Sequence, residues 1–206
     1  MTVPALSVCI NHKNRSFYEM AGSFVPLFRK SFDYLMHALA ELDLPVEVVI
    51  ADWPDERSVR LGLGSWVEHP RVKVVPCCGV FTRGEGRQIA AREASGDALY
   101  FMDANMLTPV ALLSRGLQVV ADGKAFFPLY VRQSRFRSAQ YVDGIGTGNC
   151  IVSREMHKRS SGYPAKQTWG GEDTKYWRWY VDRDLSVREK VPGFIHQWHP
   201  GDNHNA

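Results

Sequence analysis

Short apolar runs alternate with segments of helical periodicity through the first half of the chain. The apolar runs predict buried strands at residues 5–10, 46–53, 72–77 and 98–103. Apolar residues at three- and four-residue spacing predict a helix at about 25–42, and a second helix is predicted at 84–97 with Gly96 as its stop signal. This alternation favours an α/β fold with a mainly parallel, Rossmann-like sheet flanked by helices.

The pattern of the second half is less regular. It predicts helices at 109–121 and 171–184 and strands at 124–131 and 148–153, and it ends in a segment rich in aromatic residues and histidines. The segment 16–24, after the first strand, has no predicted structure. The 206 residues contain no internal repeat, low-complexity tract or linker, so we expect one domain.

Composition and charge limit the kind of protein. Apolar residues make up 45% of the chain, as in ordinary soluble proteins, and a formal net charge of +3 is too small to argue for nucleic acid by itself. The four cysteines lack a zinc-type spacing, which favours free thiols in a reducing compartment. No apolar segment reaches the roughly 20 residues of a membrane helix, and the N-terminal residues lack a basic leader with a long apolar core, so we expect a cytoplasmic protein.

Polar residues stand where the predicted strands end. Asn11, Asp52 and Asp103 each come at or directly after such an end, and the ligands of parallel sheets lie outside the carboxyl ends of the strands. Asp103 and Asn105 offer oxygens to a hard cation, which would in turn hold phosphate oxygens. The alternative, that this pair caps the next helix, is equally open because both residue types are good N-caps.

A glycine-containing helix start offers a place for an anion. Arg83 and Arg87 lie four residues apart within FTRGEGRQ, near the start of the predicted helix, where the helix dipole favours anions and a diphosphate would fit. The glycines let the backbone approach a ligand closely. Taken alone, an ordinary solvated helix start with two surface arginines is the stronger interpretation.

Two further motifs lie in the second half. In WGGED, residues 169–173, two glycines bring paired carboxylates to the start of a helix, where one is placed to act as a general base towards a hydroxyl or, alternatively, to cap the helix. His196 and His199 can share a metal or flank a site, although a histidine alone is usually structural. Together these motifs are stronger evidence for a functional site than any one of them alone, because they follow one another along one α/β chain.

Six segments together carry a resemblance to a known family: SVCINHKNR, VVIADW, FTRGEGRQIAAREASGDALYFMDANML, GTGNCIVSRE, WGGEDTKYWRW and PGFIHQWHP. In this order they resemble glycosyltransferases of the GT-A fold. The resemblance is to the inverting family 2 group, closest to the branch with chondroitin-polymerase domains and β-1,4-galactosyltransferase-like enzymes. It implies a GT-A fold in which residues 1–105 bind a nucleotide-sugar and residues 106–206 bind the acceptor and hold the catalytic groups.

The resemblance also implies a set of donor-binding residues, which are Asn11, Lys13, Arg15, Asp52, Arg83, Arg87 and Asp103. The segment from Asn11 to Arg15, together with Asp52, would meet the nucleotide base and the ribose. Arg83 would lie against the nucleotide, and Arg87 is expected to reach the diphosphate. The implied donor is a nucleotide-sugar, most simply a UDP-sugar.

A divalent metal, Mn²⁺ or Mg²⁺, is the implied cofactor. Asp103 and Asn105 occupy the first and third positions of the family's Asp-x-Asp motif, which holds the metal and the sugar-nucleotide. The ligand contributed late in the chain would be His199, our first choice, or His196. Asn105 departs from the family pattern, since the third position is usually an aspartate and an amide brings no charge, so we expect weak metal affinity.

The implied catalytic groups lie in WGGED. Asp173 matches the family's catalytic base, and Glu172 would bind or orient the acceptor together with Trp169, Gly170 and Gly171. The reaction would be a single displacement at the anomeric carbon of the sugar, with inversion. The acceptor stays open between a saccharide, a lipid-linked saccharide, a small molecule and a nucleic acid.

Two other functions remain open at this point. The neutral Asn105 motivates a nucleotide-sugar-binding protein without transferase activity. A nucleotidyltransferase also uses an α/β sheet, a metal and a diphosphate, but the WGGED motif argues against it.

Overall fold

The structure, a computed structural model, describes residues 5–14, 16–20, 22–54, 58–134, 138–164 and 171–200. The strands in these ranges are β1 (Leu6–His12), β2 (Tyr18–Met20), β3 (Ser23–Val25), β4 (Val46–Asp52), β5 (Val72–Pro76), β6 (Ala98–Met102), β7 (Met106–Leu107), β8 (Ala125–Phe126), β9 (Leu129–Gln133), β10 (Tyr141–Gly144), β11 (Cys150–Ser153), β12 (Ser186–Val187) and β13 (Lys190–His196). The helices are α1 (Leu27–Ala40), α2 (Val59–Leu63), α3 (Arg83–Glu93), α4 (Val110–Ala121), α5 (Arg154–Arg159) and α6 (Glu172–Val181), with a 3-10 helix at Gly64–Glu68.

A seven-stranded sheet runs through the molecule in the order β12-β8-β11-β6-β1-β4-β5. β1 pairs in parallel with β4 and β6, and β4 pairs in parallel with β5. β11 is antiparallel to both of its neighbours, β6 and β8. Every residue of β1 is buried, as expected for a parallel strand that is covered on both faces.

Alternate residues of the central strands pack on opposite faces of this sheet. On one face, Val8 belongs to a buried cluster with Phe28 of α1. On the other face, Cys9 belongs to a buried cluster with Ala90 of α3 and Tyr176 of α6. α3 and α6 therefore share one face, which brings their side chains together. None of the helices in the described ranges combines the length and the apolar character needed to cross a membrane.

A second, four-stranded sheet brings the end of the chain back to the first half. Its strand order is β10-β9-β13-β7, and β13 runs antiparallel to β7 with His196 opposite Met106. Because β7 starts directly after Asn105, this pairing places His196 beside the residues that follow β6.

Most predicted elements are present. β1, β4, β5, β6 and β11 and the helices α1, α4 and α6 lie within three residues of the predicted bounds. The unassigned segment 16–24 contains β2 and most of β3, which pair as a hairpin. The single strand predicted at 124–131 is two strands in different sheets, β8 and β9. Pro128 lies between them and lacks the backbone N–H that a continuous ladder requires.

Gly96 is not the helix stop that the sequence predicted. α3 ends at Glu93, and the backbone N–H of Gly96 instead donates to Oγ of Ser7 on β1 at 2.8 Å. A Cβ atom at position 96 would lie 2.6 Å from this oxygen and 2.9 Å from the backbone nitrogen of Ser7. Glycine is needed here because it lets the chain pass close to the backbone of β1.

We expect Gly96→Ala to lower the free energy of unfolding by about 1–3 kcal/mol, because the added methyl group forces the two backbone segments apart. Urea unfolding measures this loss. Asp97→Ala changes the exposed neighbouring side chain and serves as the matched control, with an expected change within about 0.5 kcal/mol. A loss of less than about 0.5 kcal/mol in Gly96→Ala as well would show that position 96 tolerates a side chain.

The cysteines behave as the sequence predicted, as free thiols. Cys9 and Cys150 are buried, and burial raises the pKa of both thiols, that of Cys150 to about 12. These two thiols are therefore protonated and unreactive near neutral pH.

Candidate functional site

A pocket opens beyond the carboxyl ends of β1 and β6. Its walls come from the ends of these strands, the start of α3, β2, and the residues at and after the end of β13. The residues of this pocket that the sequence predicted are Asn11, Lys13, Arg83, Asp103, Asn105, His196 and His199. The remaining lining residues are Tyr18, Phe81 and Ala104. Segments that are far apart in the sequence therefore converge on one site.

Arg87 lies behind the pocket and is fully buried. Its Nη2 donates to Oδ1 of Asp103 at 2.8 Å, and its Nη1 donates to Oδ1 of Asp173. Its guanidinium carbon lies 4.9 Å from the centre of the Tyr163 ring, in a cation–π contact. Two carboxylates therefore already take up the guanidinium group of Arg87, and its expected contact with a diphosphate stays a prediction.

Arg83 is the second cation of this cluster. Its Nη2 donates to the same Oδ1 of Asp103 at 2.8 Å and lies 3.8 Å from Oδ2 of Asp173. Its Nε lies 3.8 Å from Oε1 of Glu172. The side chain of Arg83 is 23% exposed, in contrast to that of Arg87, and lines the pocket. Two guanidinium groups therefore face three carboxylates.

Asp103 keeps its charge at this site. Burial raises the pKa of its carboxyl group, but the guanidinium groups of Arg83 and Arg87 outweigh burial and hold that pKa well below its usual range. Asn149 fixes the carboxylate further, because its Nδ2 donates to Oδ2 of Asp103 at 3.2 Å and its Oδ1 accepts the Asp103 backbone N–H at 2.9 Å. Asn149 was not among the predicted site residues, and its only signal in the sequence is an amide in a glycine-rich segment at the start of a predicted strand.

Gly148 closes over the charged cluster. A Cβ atom at this position would lie 3.0 Å from Nη2 of Arg87, 3.0 Å from Oδ2 of Asp103 and 3.1 Å from Oδ2 of Asp173. A side chain would therefore crowd the charged atoms, and the segment can approach them only as glycine.

The helix-cap interpretation of Asp103 and Asn105 is wrong. β7 follows Asn105, and α4 begins only at Val110, after Pro109. Nδ2 of Asn105 instead lies 3.0 Å from Nε2 of His196. The buried Asn105 side chain thereby ties the end of β6 to the end of β13.

The resemblance implies four metal ligands, Asp103, Asn105, His196 and His199. All four line the pocket, but they are not arranged as a metal site. Both carboxylate oxygens of Asp103 already accept hydrogen bonds, from the two arginines and from Asn149. Across the described ranges, no group of three or more His, Cys, Asp or Glu side chains has the geometry to hold a metal ion. In this arrangement the donor set does not fit a divalent cation.

Asp52 lies in a hydrogen-bond network with His12, and its expected contact with the nucleotide stays a prediction. It is buried, and its Oδ1 is 2.7 Å from Nδ1 of His12. Nε2 of His12 is in turn 3.2 Å from Oγ of Ser16, which donates to the backbone oxygen of Ser58 at 2.8 Å. This network holds the segment that carries Lys13, and Asp52 is not among the described residues that line the pocket.

The start of α6 places the WGGED carboxylates. Gly171 precedes the helix with φ of 81°, a left-handed conformation that glycine adopts without strain. Glu172 and Asp173 form the first turn, and Glu172 is buried with an Oε2 that has no hydrogen-bond partner in the described part of the chain. The predicted site residues that lie outside the described residues are Arg15, Trp169 and Gly170.

Comparison with solved structures identifies the fold. The crystal structure of S. aureus TarS 1-349 in complex with UDP-GlcNAc matches with a TM-score of 0.71 at 14% identity, over 98% of this chain and 60% of that chain. A second crystal structure of S. aureus TarS 1-349 matches with a TM-score of 0.66 at 16% identity, over 93% of this chain and 60% of that chain. Its complex with UDP matches with a TM-score of 0.66 at 15% identity, over 94% and 60% of the two chains.

These matches confirm the predicted GT-A fold, with its large, mostly parallel sheet flanked by helices. The chain spans 60% of the length of the TarS chains that it matches. No protein-family model and no curated protein matches the chain. The chondroitin-polymerase branch of the resemblance therefore stays a prediction.

The buried charge cluster yields a stability prediction. We expect Arg87→Met to lower the free energy of unfolding at pH 7 by about 3–5 kcal/mol, because removing the cation leaves two carboxylates without their buried partner. Chemical unfolding measures the loss. Arg92→Met, at an exposed position on the same helix, is the matched control and should change stability by less than about 0.5 kcal/mol.

The pH dependence of this loss follows from the lowered pKa of Asp103. Its carboxylate adds stability at pH values above its unfolded pKa of about 4, and this contribution disappears as the pH falls through the lower folded pKa. The difference between wild type and Arg87→Met should therefore be largest at pH 7 and shrink below about pH 4. A difference that stays constant over this range would contradict the role given to the ion pairs.

Proposed function

We propose that the chain is a glycosyltransferase that moves a sugar from a UDP-linked donor to an acceptor hydroxyl, with inversion at the anomeric carbon. The observation that carries this proposal is the buried Arg87, which holds Asp103 at the pocket wall and Asp173 at the start of α6 within one cluster. A donor in the pocket would have a carboxylate from the second half of the chain beside it. The complexes of TarS, which shares the fold, with UDP-GlcNAc and UDP support a UDP-linked donor.

The donor half of the site is formed by residues before position 106. Oδ1 of Asn11 is buried and has no hydrogen-bond partner among the described residues, so it can accept a hydrogen bond from the base or the ribose. The ring of Phe81 lies 5.9 Å from Nζ of Lys13 and 5.0 Å from the Trp53 ring. We assign Asn11 and the Phe81 ring to the nucleoside and assign Arg83 to the diphosphate.

The catalytic step is a single displacement. Asp173 accepts the proton of the acceptor hydroxyl while the acceptor oxygen forms its bond to the anomeric carbon, and the bond from that carbon to the diphosphate oxygen breaks. UDP leaves with the electron pair of the broken bond. Arg83 stabilises the negative charge that develops on this leaving group. Since the donor set does not fit a divalent cation, no step is assigned to the implied metal.

Glu172 has the properties of an acceptor-binding residue. Its Oε2 is buried and has no hydrogen-bond partner in the described part of the chain. Glu172 directly precedes the proposed base, Asp173, in the sequence. A hydroxyl of the acceptor would satisfy this oxygen, which otherwise carries the cost of an unpaired buried group. We assign Glu172 to the orientation of the acceptor, whose chemical class stays open.

A panel of UDP-sugars tests the proposal directly. A transferase should release UDP from at least one sugar of the panel, by slow hydrolysis where no acceptor is present. Tight binding of UDP-sugars without any release, even when candidate acceptors are added, would favour a binding protein without transferase activity. Absence of UDP binding would contradict the proposal.

Substitution of the base separates chemistry from binding. We expect Asp173→Asn to reduce the transfer rate by about 10²–10⁴-fold, because an amide cannot accept the proton, while the affinity for UDP changes little. Asp182→Asn, at an exposed position just past the other end of α6, is the matched control and should keep the wild-type rate. An Asp173→Asn variant that melts like the wild type and retains more than about a tenth of its rate would rule out this base.

A further inference from the structure

The carboxylate of Asp103, which the resemblance implies as a metal ligand, is already paired with Arg83 and Arg87. Among the described residues that line the pocket, Asp103 is the only acidic one. Oδ1 of Asp103 accepts from Arg83 and Arg87 at 2.8 Å each, and Oδ2 accepts from Asn149 at 3.2 Å. A divalent cation on this carboxylate would have to displace these donors and would then lie beside two positive guanidinium groups.

Arg87 cannot make room for such a cation. It is fully buried and pairs with Asp173 as well as with Asp103. Moving its guanidinium group away would leave both carboxylates without their buried partner, which is strongly destabilising. Arg87 therefore stays the counter-ion of Asp103 while a ligand binds in the pocket.

Arg83 and Lys13 are placed differently, at the wall of the pocket. The side chain of Arg83 is 23% exposed, and Lys13 is half-buried. Since Arg87 also neutralises Asp103, an anionic ligand can share the guanidinium group of Arg83 with that carboxylate. Together Arg83 and Lys13 carry two positive charges, which match the two negative charges of the diphosphate in a nucleotide-sugar.

The start of α3 adds to this positive potential. Thr82 is the N-cap, and its Oγ accepts the backbone N–H of Glu85 at 3.1 Å. Phe81 and Arg83, on either side of the cap, both line the pocket. The positive end of this 11-residue helix therefore lies next to the pocket.

We propose that this site binds the diphosphate of its donor without a divalent metal, with Arg83 and Lys13 as the binding cations. The inference rests on the proposed function, since it assumes a nucleoside diphosphate in the pocket. It goes beyond that function because it replaces the cofactor that the resemblance implies by two side chains of this chain.

Calorimetric titration with UDP tests the inference on the wild-type protein. One sample is dialysed against EDTA, and the other contains Mn²⁺. We expect the two dissociation constants to agree within about threefold, because the arginine and the lysine supply the charge that a metal would otherwise bring.

Variants of Arg83 identify the cation. In EDTA, Arg83→Gln should weaken UDP binding by about tenfold or more, since a charge-assisted hydrogen bond is lost, and Arg83→Lys should restore part of the affinity. Arg92→Gln removes the same charge at an exposed position of α3 and should bind UDP like the wild type. Melting temperatures of all variants establish that they are folded.

The outcomes separate this inference from the proposed function. UDP binding that is lost in EDTA and restored by Mn²⁺ would overturn the inference and leave the proposed function intact. Binding in EDTA that is unchanged in Arg83→Gln would also overturn it, because another group would then hold the diphosphate. Absence of UDP binding under both conditions would contradict the proposed function and the inference together.

Discussion

A fully buried guanidinium group requires anionic partners, and Arg87 finds them in two distant parts of the chain. Asp103 follows the central strand β6, and Asp173 begins α6 in the second half. Because an unpaired charge in this position would cost several kcal/mol, the three side chains fix one another's places. The edge of the parallel sheet and the start of α6 are thereby held at one site.

The surroundings of this ion cluster follow from the same constraint. Asn149 binds both the backbone and the carboxylate of Asp103, and Gly148 leaves room for the charged atoms to meet. On the other side of the pocket, Asn105 links the end of β6 to His196 on β13. The result is a pocket with buried ion pairs at its base and a wall that carries cations, which is suited to an anionic ligand.

The fold and most of the pocket could be predicted from the sequence. Apolar runs buried on both faces mark the parallel strands, and the strand ends then locate Asn11 and Asp103. The role of Arg87 could not be predicted, since an arginine at a helix start has the local pattern of a solvated residue and its partner Asp173 lies 86 positions away. Asn149 and the hairpin that carries Tyr18 were missed for the same reason, because only tertiary contacts give them a role.

We infer that the pocket beyond β1 and β6 holds a nucleoside diphosphate on side chains of this chain. A crystal structure of the protein grown with UDP in the presence of EDTA tests it most directly. We expect the uracil and ribose beside Asn11 and Phe81, the diphosphate within hydrogen-bond distance of Arg83 and Lys13, and an intact pair between Arg87 and Asp103. UDP bound elsewhere, or a diphosphate that makes no contact with Arg83, would show that these side chains do not form the diphosphate site.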